Sequence, residues 1–104
     1  MSKPIAILSA SRTPMGGMLG SLSSVSAADL GAAAISAAVQ KSTLGVDQID
    51  EVLMGCVLSA GVGQAPARQA ALSAGLTQGT PCTTINKVCG SAMKAVMMGC
   101  NALR

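Results

Sequence analysis

The segment CTTINKVCGSAMKAVMMGC, Cys82 to Cys100, contains the clearest fold signal in this chain. It begins with residues typical of a β-strand, Thr83 to Val88, and continues from Ala92 to Leu103 as an apolar run of good helix formers. The pattern predicts a strand that leads directly into a helix, with Cys89-Gly90-Ser91 at the turn between them.

This placement makes Cys89 the candidate nucleophile. The first backbone N–H groups of a helix have no intrahelical partner and lie at the positive end of the helix dipole. Both features favour a thiolate, which is the nucleophilic form of cysteine. In open α/β sheets, ligands also bind outside the carboxyl ends of the strands. The alternative is an inert, buried small side chain, the usual role of a free cysteine.

The rest of the chain alternates the same two kinds of pattern. The predicted elements, in chain order, are a strand over Pro4–Ser9, a helix opened by the cap residue Ser26 and running to Lys41, a strand over Glu51–Leu58 and a helix over Ala65–Ser73. Strands joined by helices pair in parallel with right-handed connections. The chain is therefore predicted to be of the α/β class with a mostly parallel sheet.

The composition indicates a piece of a larger structure. Half of the residues are apolar, 11% are charged, and Phe, Tyr and Trp are absent. A small independent domain has a large surface for its volume and needs polar groups to cover it. With so few charges, we expect part of this surface to be covered by further polypeptide.

Several classes of function are disfavoured. A net charge of +3 without a basic run, and the lack of aromatic side chains, argue against nucleic-acid binding. No apolar stretch is long enough for a membrane span, and the apolar core Ile5 to Leu8 is too short for a signal peptide. We therefore expect a cytoplasmic protein with free cysteines. The lack of histidine and of paired C-x-x-C spacing disfavours a metal site, and Gly16, Gly17 and Gly20 do not form the G-x-G-x-x-G dinucleotide pattern.

Three motifs in order resemble one family. Ile85 to Ala95, INKVCGSAMKA, is similar to the active-site cysteine segment of the thiolases, the acetyl-CoA acetyltransferases and 3-ketoacyl-CoA thiolases. Ser11-Arg12-Thr13-Pro14 with the following Gly20-Ser21-Leu22 resembles the thiolase amino terminus, and Gly63 to Ala71 resembles the loop and helix before the cysteine strand. The chain as a whole, 1–104, looks like the amino-terminal portion of the thiolase N-terminal domain.

The resemblance implies a fold and an activity. The fold would be the first three βα units of a layered α/β/α half. Cys89 would carry an acyl-thioester intermediate, and its backbone N–H would help to stabilise the oxyanion. The reaction would be the condensation of two acetyl-CoA molecules to acetoacetyl-CoA, or the reverse thiolysis. Acetyl-CoA and other acyl-CoA thioesters would be substrates, with no cofactor. A homodimer or homotetramer is implied, in which Cys82 to Val88 pairs with its own copy.

Two points qualify this reading. Many thiolases have Gly at the position of Ala92, so the added methyl lies close to the nucleophile. The activating histidine and second cysteine of the family have no match here, so we expect the 104 residues alone to be inactive. The alternatives are a 3-ketoacyl-CoA thiolase of fatty-acid oxidation, a ketoacyl synthase on the same fold, and a non-catalytic structural or interaction module.

Overall fold

The computed structural model describes residues 3–104, which form two short parallel strands and three α-helices. In chain order these are α1 (Ala27–Ser42), β1 (Val52–Gly55), α2 (Pro66–Ser73), β2 (Cys82–Ile85) and α3 (Ser91–Ala102), with a 3₁₀ turn at Val46–Gln48 before β1. From α1 onwards, the alternation of helix and strand is the one that the sequence predicts.

The elements are stacked in three layers. β1 and β2 pair in parallel, from Val52 opposite Cys82 to Gly55 opposite Ile85. On one face of this sheet, Val52 packs with Ala71 and Leu76 of the α2 region, and α1 packs on α2. On the other face lies α3. The predicted layered α/β fold is confirmed.

Helix α1 begins where its sequence predicts. Ser26 is the N-cap, and its hydroxyl accepts a hydrogen bond of 3.1 Å from the backbone N–H of Asp29. This bond satisfies one of the first-turn donors that the helix itself leaves without a partner. The helix ends at Ser42, one residue after the predicted Lys41, and its C-cap Thr43 is left-handed, with φ of 65°.

Helix α2 receives its cap from the sheet. Its N-cap residue, Ala65, has no side chain that can bond to the first turn, although Pro66 suits the first helical position. Instead, Oγ1 of Thr84 in β2 accepts a hydrogen bond of 3.0 Å from the backbone N–H of Ala67. The middle layer therefore fixes where α2 begins.

The segment Pro4–Ser9 is not a strand, contrary to the sequence prediction. It lies beside α1 instead: the Ser9 hydroxyl donates to the carbonyl of Ala38 over 2.6 Å, and Lys41 Nζ donates to the carbonyl of Ala10 over 3.4 Å. Ile7 remains 85% exposed. An apolar run becomes a strand only when a neighbouring strand pairs with its backbone, and this segment has no such neighbour in the sheet of residues 3–104.

Both observed strands are shorter than their sequence patterns. β1 ends at Gly55, and the last bond of the ladder region joins the Cys56 N–H to the Ile85 carbonyl over 2.9 Å. β2 ends at Ile85 rather than Val88, because the chain turns sharply after Asn86. The shortening brings the turn containing Cys89 close to the end of β1.

Helix α3 is apolar on nearly all sides but is covered on only one. Ser91 and Ala95 are buried, whereas its outer face is exposed at Met93, Val96 and Met97, and Leu103 just beyond its end is also exposed. Residues 3–104 therefore leave the outer face of this helix uncovered. Within residues 3–104, none of the helices is both long and apolar enough to cross a membrane.

We predict that Thr84→Val lowers the free energy of unfolding by about 1 kcal/mol, because α2 loses the acceptor for its first-turn N–H while the size of the side chain is kept. Urea denaturation of the native polypeptide that contains this chain measures the change. Thr83→Val is the matched control, since it makes the same substitution one residue earlier on the opposite face of β2. Equal losses in the two variants would contradict the capping role of Thr84.

Candidate functional site

The amino ends of the three helices meet at the carboxyl edge of the sheet. A small cavity of about 80 Å³ is lined by Ala27 and Ala28 at the start of α1, Pro66 and Ala67 at the start of α2, and Gly55 and Cys56 at the end of β1. The start of α3 lies against Gly55. The positive ends of these helix dipoles therefore point towards the same edge, which favours negative charge there.

Cys89 lies at this edge, in the turn between β2 and α3. Its side chain is exposed, whereas Cys56, Cys82 and Cys100 are partly buried, and all four thiols are free. Gly90 is the N-cap residue of α3, so Cys89 immediately precedes the helix start. The position agrees with the one predicted from the sequence. The catalytic role of Cys89 remains a prediction.

The residue before Cys89 has an unusual backbone conformation. Val88 has φ of 48°, in the left-handed region. A β-branched residue rarely adopts this conformation because its side chain crowds the backbone. Such strain persists only where the surrounding contacts enforce it, and it is typical of functional sites. The sequence alone gives no signal for it, since valine favours extended structure.

Hydrogen bonds within the turn hold this conformation. The N–H groups of Gly90 and Ser91 donate to the carbonyls of Lys87 and Val88 over 3.0 and 3.2 Å. The N–H of Lys87 donates to the Ser91 hydroxyl over 2.9 Å, and that of Val88 donates to Asn86 Oδ1 over 2.9 Å. The Cys89 N–H is not the donor in any of these four bonds.

Gly55 lets the end of β1 approach the start of α3. A Cβ atom at this position would lie 2.6 Å from the backbone N of Ala92 and 2.6 Å from the backbone C of Ser91. Contacts this short are not tolerated, so any side chain at position 55 would displace the helix start. The sequence analysis did not single out Gly55, because its importance arises from a contact with residues far away in the chain.

Ala92, where many thiolases have Gly, is exposed at the first turn of α3. It lines an open groove between β1 and α3 together with Gly55, Ala95 and Val96. Its methyl group therefore borders the surface beside the Cys89 turn without being packed into the core. Among residues 3–104, no group of His, Cys, Asp and Glu side chains is arranged to hold a metal ion.

The arrangement suits nucleophilic attack on an acyl group. An exposed thiol and the positive end of α3 are present at one point of the surface. A thiolate can attack a carbonyl carbon, and N–H donors can stabilise the oxyanion that results.

Comparison with known proteins shows the family to which the chain belongs. Residues 5–104 match the family model described as thiolase, N-terminal domain. The chain is 54% identical over 101 residues to the mitochondrial acetyl-CoA acetyltransferase of Homo sapiens, covering 97% of this chain and 24% of that protein. It is 54% identical over 96 residues to the cytosolic acetyl-CoA acetyltransferase ERG10 of Gibberella zeae, covering 92% of this chain and 24% of that protein.

Solved structures agree with the sequence relatives. The Acat5 thiolase of Ascaris suum in complex with coenzyme A has a TM-score of 0.91 at 45% identity, over 93% of this chain and 25% of that one. The acetyl-CoA acetyltransferase of Syntrophomonas wolfei has a TM-score of 0.87 at 33% identity, over 91% of this chain and 24% of that one. The present chain belongs to the thiolase family, whose relatives here are acyltransferases, and it spans about a quarter of the length of those it matches.

We predict that Gly55→Ala destabilises the protein by about 1–3 kcal/mol, because the added methyl group overlaps the backbone at the start of α3. Thermal unfolding of the native polypeptide measures the loss. Gly79→Ala is the control, since a Cβ at Gly79 would meet no atom within 4 Å. An unchanged midpoint of thermal unfolding for Gly55→Ala would show that the close approach of β1 and α3 does not require glycine at position 55.

Proposed function

We propose that this chain is the nucleophile-bearing part of an acetyl-CoA acetyltransferase, in which Cys89 carries the acyl group between two coenzyme A thioesters. The observation that carries the proposal is the exposed Cys89 at the turn between β2 and the start of α3. Both sequence relatives described above are acetyl-CoA acetyltransferases, which supports acetyl-CoA as the substrate. The solved relative with coenzyme A bound supports a coenzyme A thioester as the acyl donor.

The first half-reaction acylates the enzyme. The Cys89 thiolate attacks the carbonyl carbon of acetyl-CoA and forms a new C–S bond, which gives a tetrahedral oxyanion. The Cys89 N–H donates a hydrogen bond to that oxyanion, and the positive end of α3 stabilises its charge. The bond to the coenzyme A sulfur then breaks, and coenzyme A leaves and takes up a proton.

The second half-reaction forms a carbon–carbon bond. A second acetyl-CoA loses a proton from its methyl group, and the carbanion attacks the carbonyl carbon of acetyl-Cys89. The bond to the Cys89 sulfur breaks, which releases acetoacetyl-CoA and restores the thiolate. One base must take the proton of the Cys89 thiol and later give it to coenzyme A, and a base must also take the methyl proton of the second acetyl-CoA, but residues 1–104 contain no histidine. This part of the protein therefore supplies the nucleophile and the oxyanion donor, and we infer that the bases come from other polypeptide.

Self-association is part of the proposal. In the sheet of residues 3–104, β2 pairs only with β1, so its other edge is free to pair with a second copy of the strand. The exposed apolar face of α3 indicates that further surface is covered in the assembled protein. We propose a homodimer or homotetramer, and light scattering after gel filtration measures its mass.

We predict that brief exposure of the native polypeptide to acetyl-CoA adds one acetyl group, and that peptide mass mapping places it on Cys89. Cys89→Ser should abolish the adduct and lower turnover by more than about a thousandfold, because the nucleophile is lost. Cys100→Ser, which changes a partly buried cysteine of α3, is the matched control. An adduct on another residue, with activity kept in Cys89→Ser, would refute the assignment.

A second prediction concerns residues 1–104 as an isolated polypeptide. It should show no condensation or thiolysis, because it has the nucleophile but no histidine base for either proton transfer. A coupled assay with acetyl-CoA and with acetoacetyl-CoA plus coenzyme A checks this, with the native polypeptide as the positive control. Measurable turnover by the isolated segment would contradict the proposed division of roles.

A further inference from the structure

Ser91 makes an unusual pair of hydrogen bonds beside the proposed nucleophile. Its hydroxyl donates to the Val88 carbonyl over 2.6 Å and accepts from the Lys87 N–H over 2.9 Å. The side chain is only 6% exposed. One hydroxyl thus joins the first residue of α3 to the two residues that precede Cys89.

These bonds hold Val88, the residue of the turn with the least favourable backbone conformation. Val88, with φ of 48°, lies between Lys87 and Cys89, and the Ser91 hydroxyl bonds to the backbone on both sides of its α-carbon. Asn86 adds a third bond, since its Oδ1 accepts from the Val88 N–H. Without these bonds, valine would relax to a negative φ and the following residue would change direction.

We propose that Ser91 is a positioning residue for Cys89: its hydroxyl holds Val88 in the left-handed conformation and thereby directs the Cys89 thiol and N–H towards the acyl group. Ser91 does not touch the substrate in this scheme. Its effect on the reaction rests on the proposed function of Cys89, but its effect on the turn does not.

A second serine hydroxyl of the chain also donates to a backbone carbonyl and accepts from a backbone N–H, at a place where no nucleophile follows. The Ser42 hydroxyl donates to the Val39 carbonyl over 2.6 Å and accepts from the Leu44 N–H over 3.2 Å. The left-handed residue Thr43 directly follows Ser42 at the end of α1. Ser42→Ala is therefore a closely matched control for Ser91→Ala, because it removes the same two kinds of bond far along the chain from Cys89.

The test measures acetylation of Cys89 and amide hydrogen exchange in the native polypeptide. Ser91→Ala should lower the rate of Cys89 acetylation at saturating acetyl-CoA by at least about tenfold, since misplacing a reacting group is costly. The acetyl-CoA concentration for half-maximal rate should change little. The Lys87 amide should exchange at least about tenfold faster, because it loses its acceptor. Ser42→Ala should leave both Cys89 acetylation and Lys87 exchange unchanged.

A double substitution separates positioning from simple loss of stability. Glycine adopts a positive φ without strain, so in Val88→Gly the turn no longer depends on the Ser91 hydrogen bonds to keep its conformation. In that background Ser91→Ala should lower the acetylation rate by less than about threefold. If Ser91→Ala fails to fold, Asn86→Ala is used in its place. It removes the exposed hydrogen bond from the Val88 N–H to Asn86 Oδ1 and should also lower the rate of Cys89 acetylation.

Three outcomes would overturn the proposal: acetylation at the wild-type rate in Ser91→Ala, unchanged exchange of the Lys87 amide, or an equal loss in the Val88→Gly background. If wild-type Cys89 itself is not acetylated, the proposed function fails. The exchange measurements and the φ of Val88 in a crystal structure of Ser91→Ala then decide the role of Ser91 in the turn.

Discussion

The closeness of β1 to the start of α3 is the constraint on which the rest of the structure depends. Gly55 has no side chain, and the backbone of Ser91 and Ala92 occupies the space where a Cβ would be. This contact sets the height of α3 above the sheet. Since Cys89 lies just before α3, the same contact sets how far the thiol stands from the sheet edge. A residue of β1 thus fixes the location of a side chain that follows β2.

The site is built from backbone groups more than from side chains. The helix starts at the carboxyl edge supply N–H donors and dipoles, and the Cys89 N–H is not the donor in any of the four hydrogen bonds named above for the turn at Val88. Such donors are already oriented before a substrate arrives, so they need little rearrangement when negative charge develops. Small side chains serve this design, because alanine and glycine allow the helices to lie close to the sheet and to one another. At Gly31, for example, a Cβ would lie 3.0 Å from the Cβ of Ala70.

Local sequence signals predicted the helices and the location of Cys89. Ser26 marks the start of α1 because a cap depends only on residues a few positions away, and the change of pattern around Cys89-Gly90-Ser91 marks the junction. The prediction was wrong for Pro4–Ser9, since an apolar run does not reveal whether a neighbouring strand will pair with it. Val88, Gly55 and Thr84 were missed for a related reason. A left-handed valine, a close backbone approach and a cap from another element each depend on contacts that form only in the folded chain.

The register of the sheet has a consequence for the order in which this structure assembles. Each residue of β1 pairs with a partner thirty positions later, as Val52 does with Cys82, whereas each helix forms bonds between residues four positions apart. Closing so long a loop costs more chain entropy than forming a helical turn, and contacts of large sequence separation slow folding. We therefore expect α1 and α2 to form before the sheet does. The turn around Cys89 would then be among the last parts to become ordered, and stopped-flow hydrogen-exchange labelling would show late protection of the Lys87 amide.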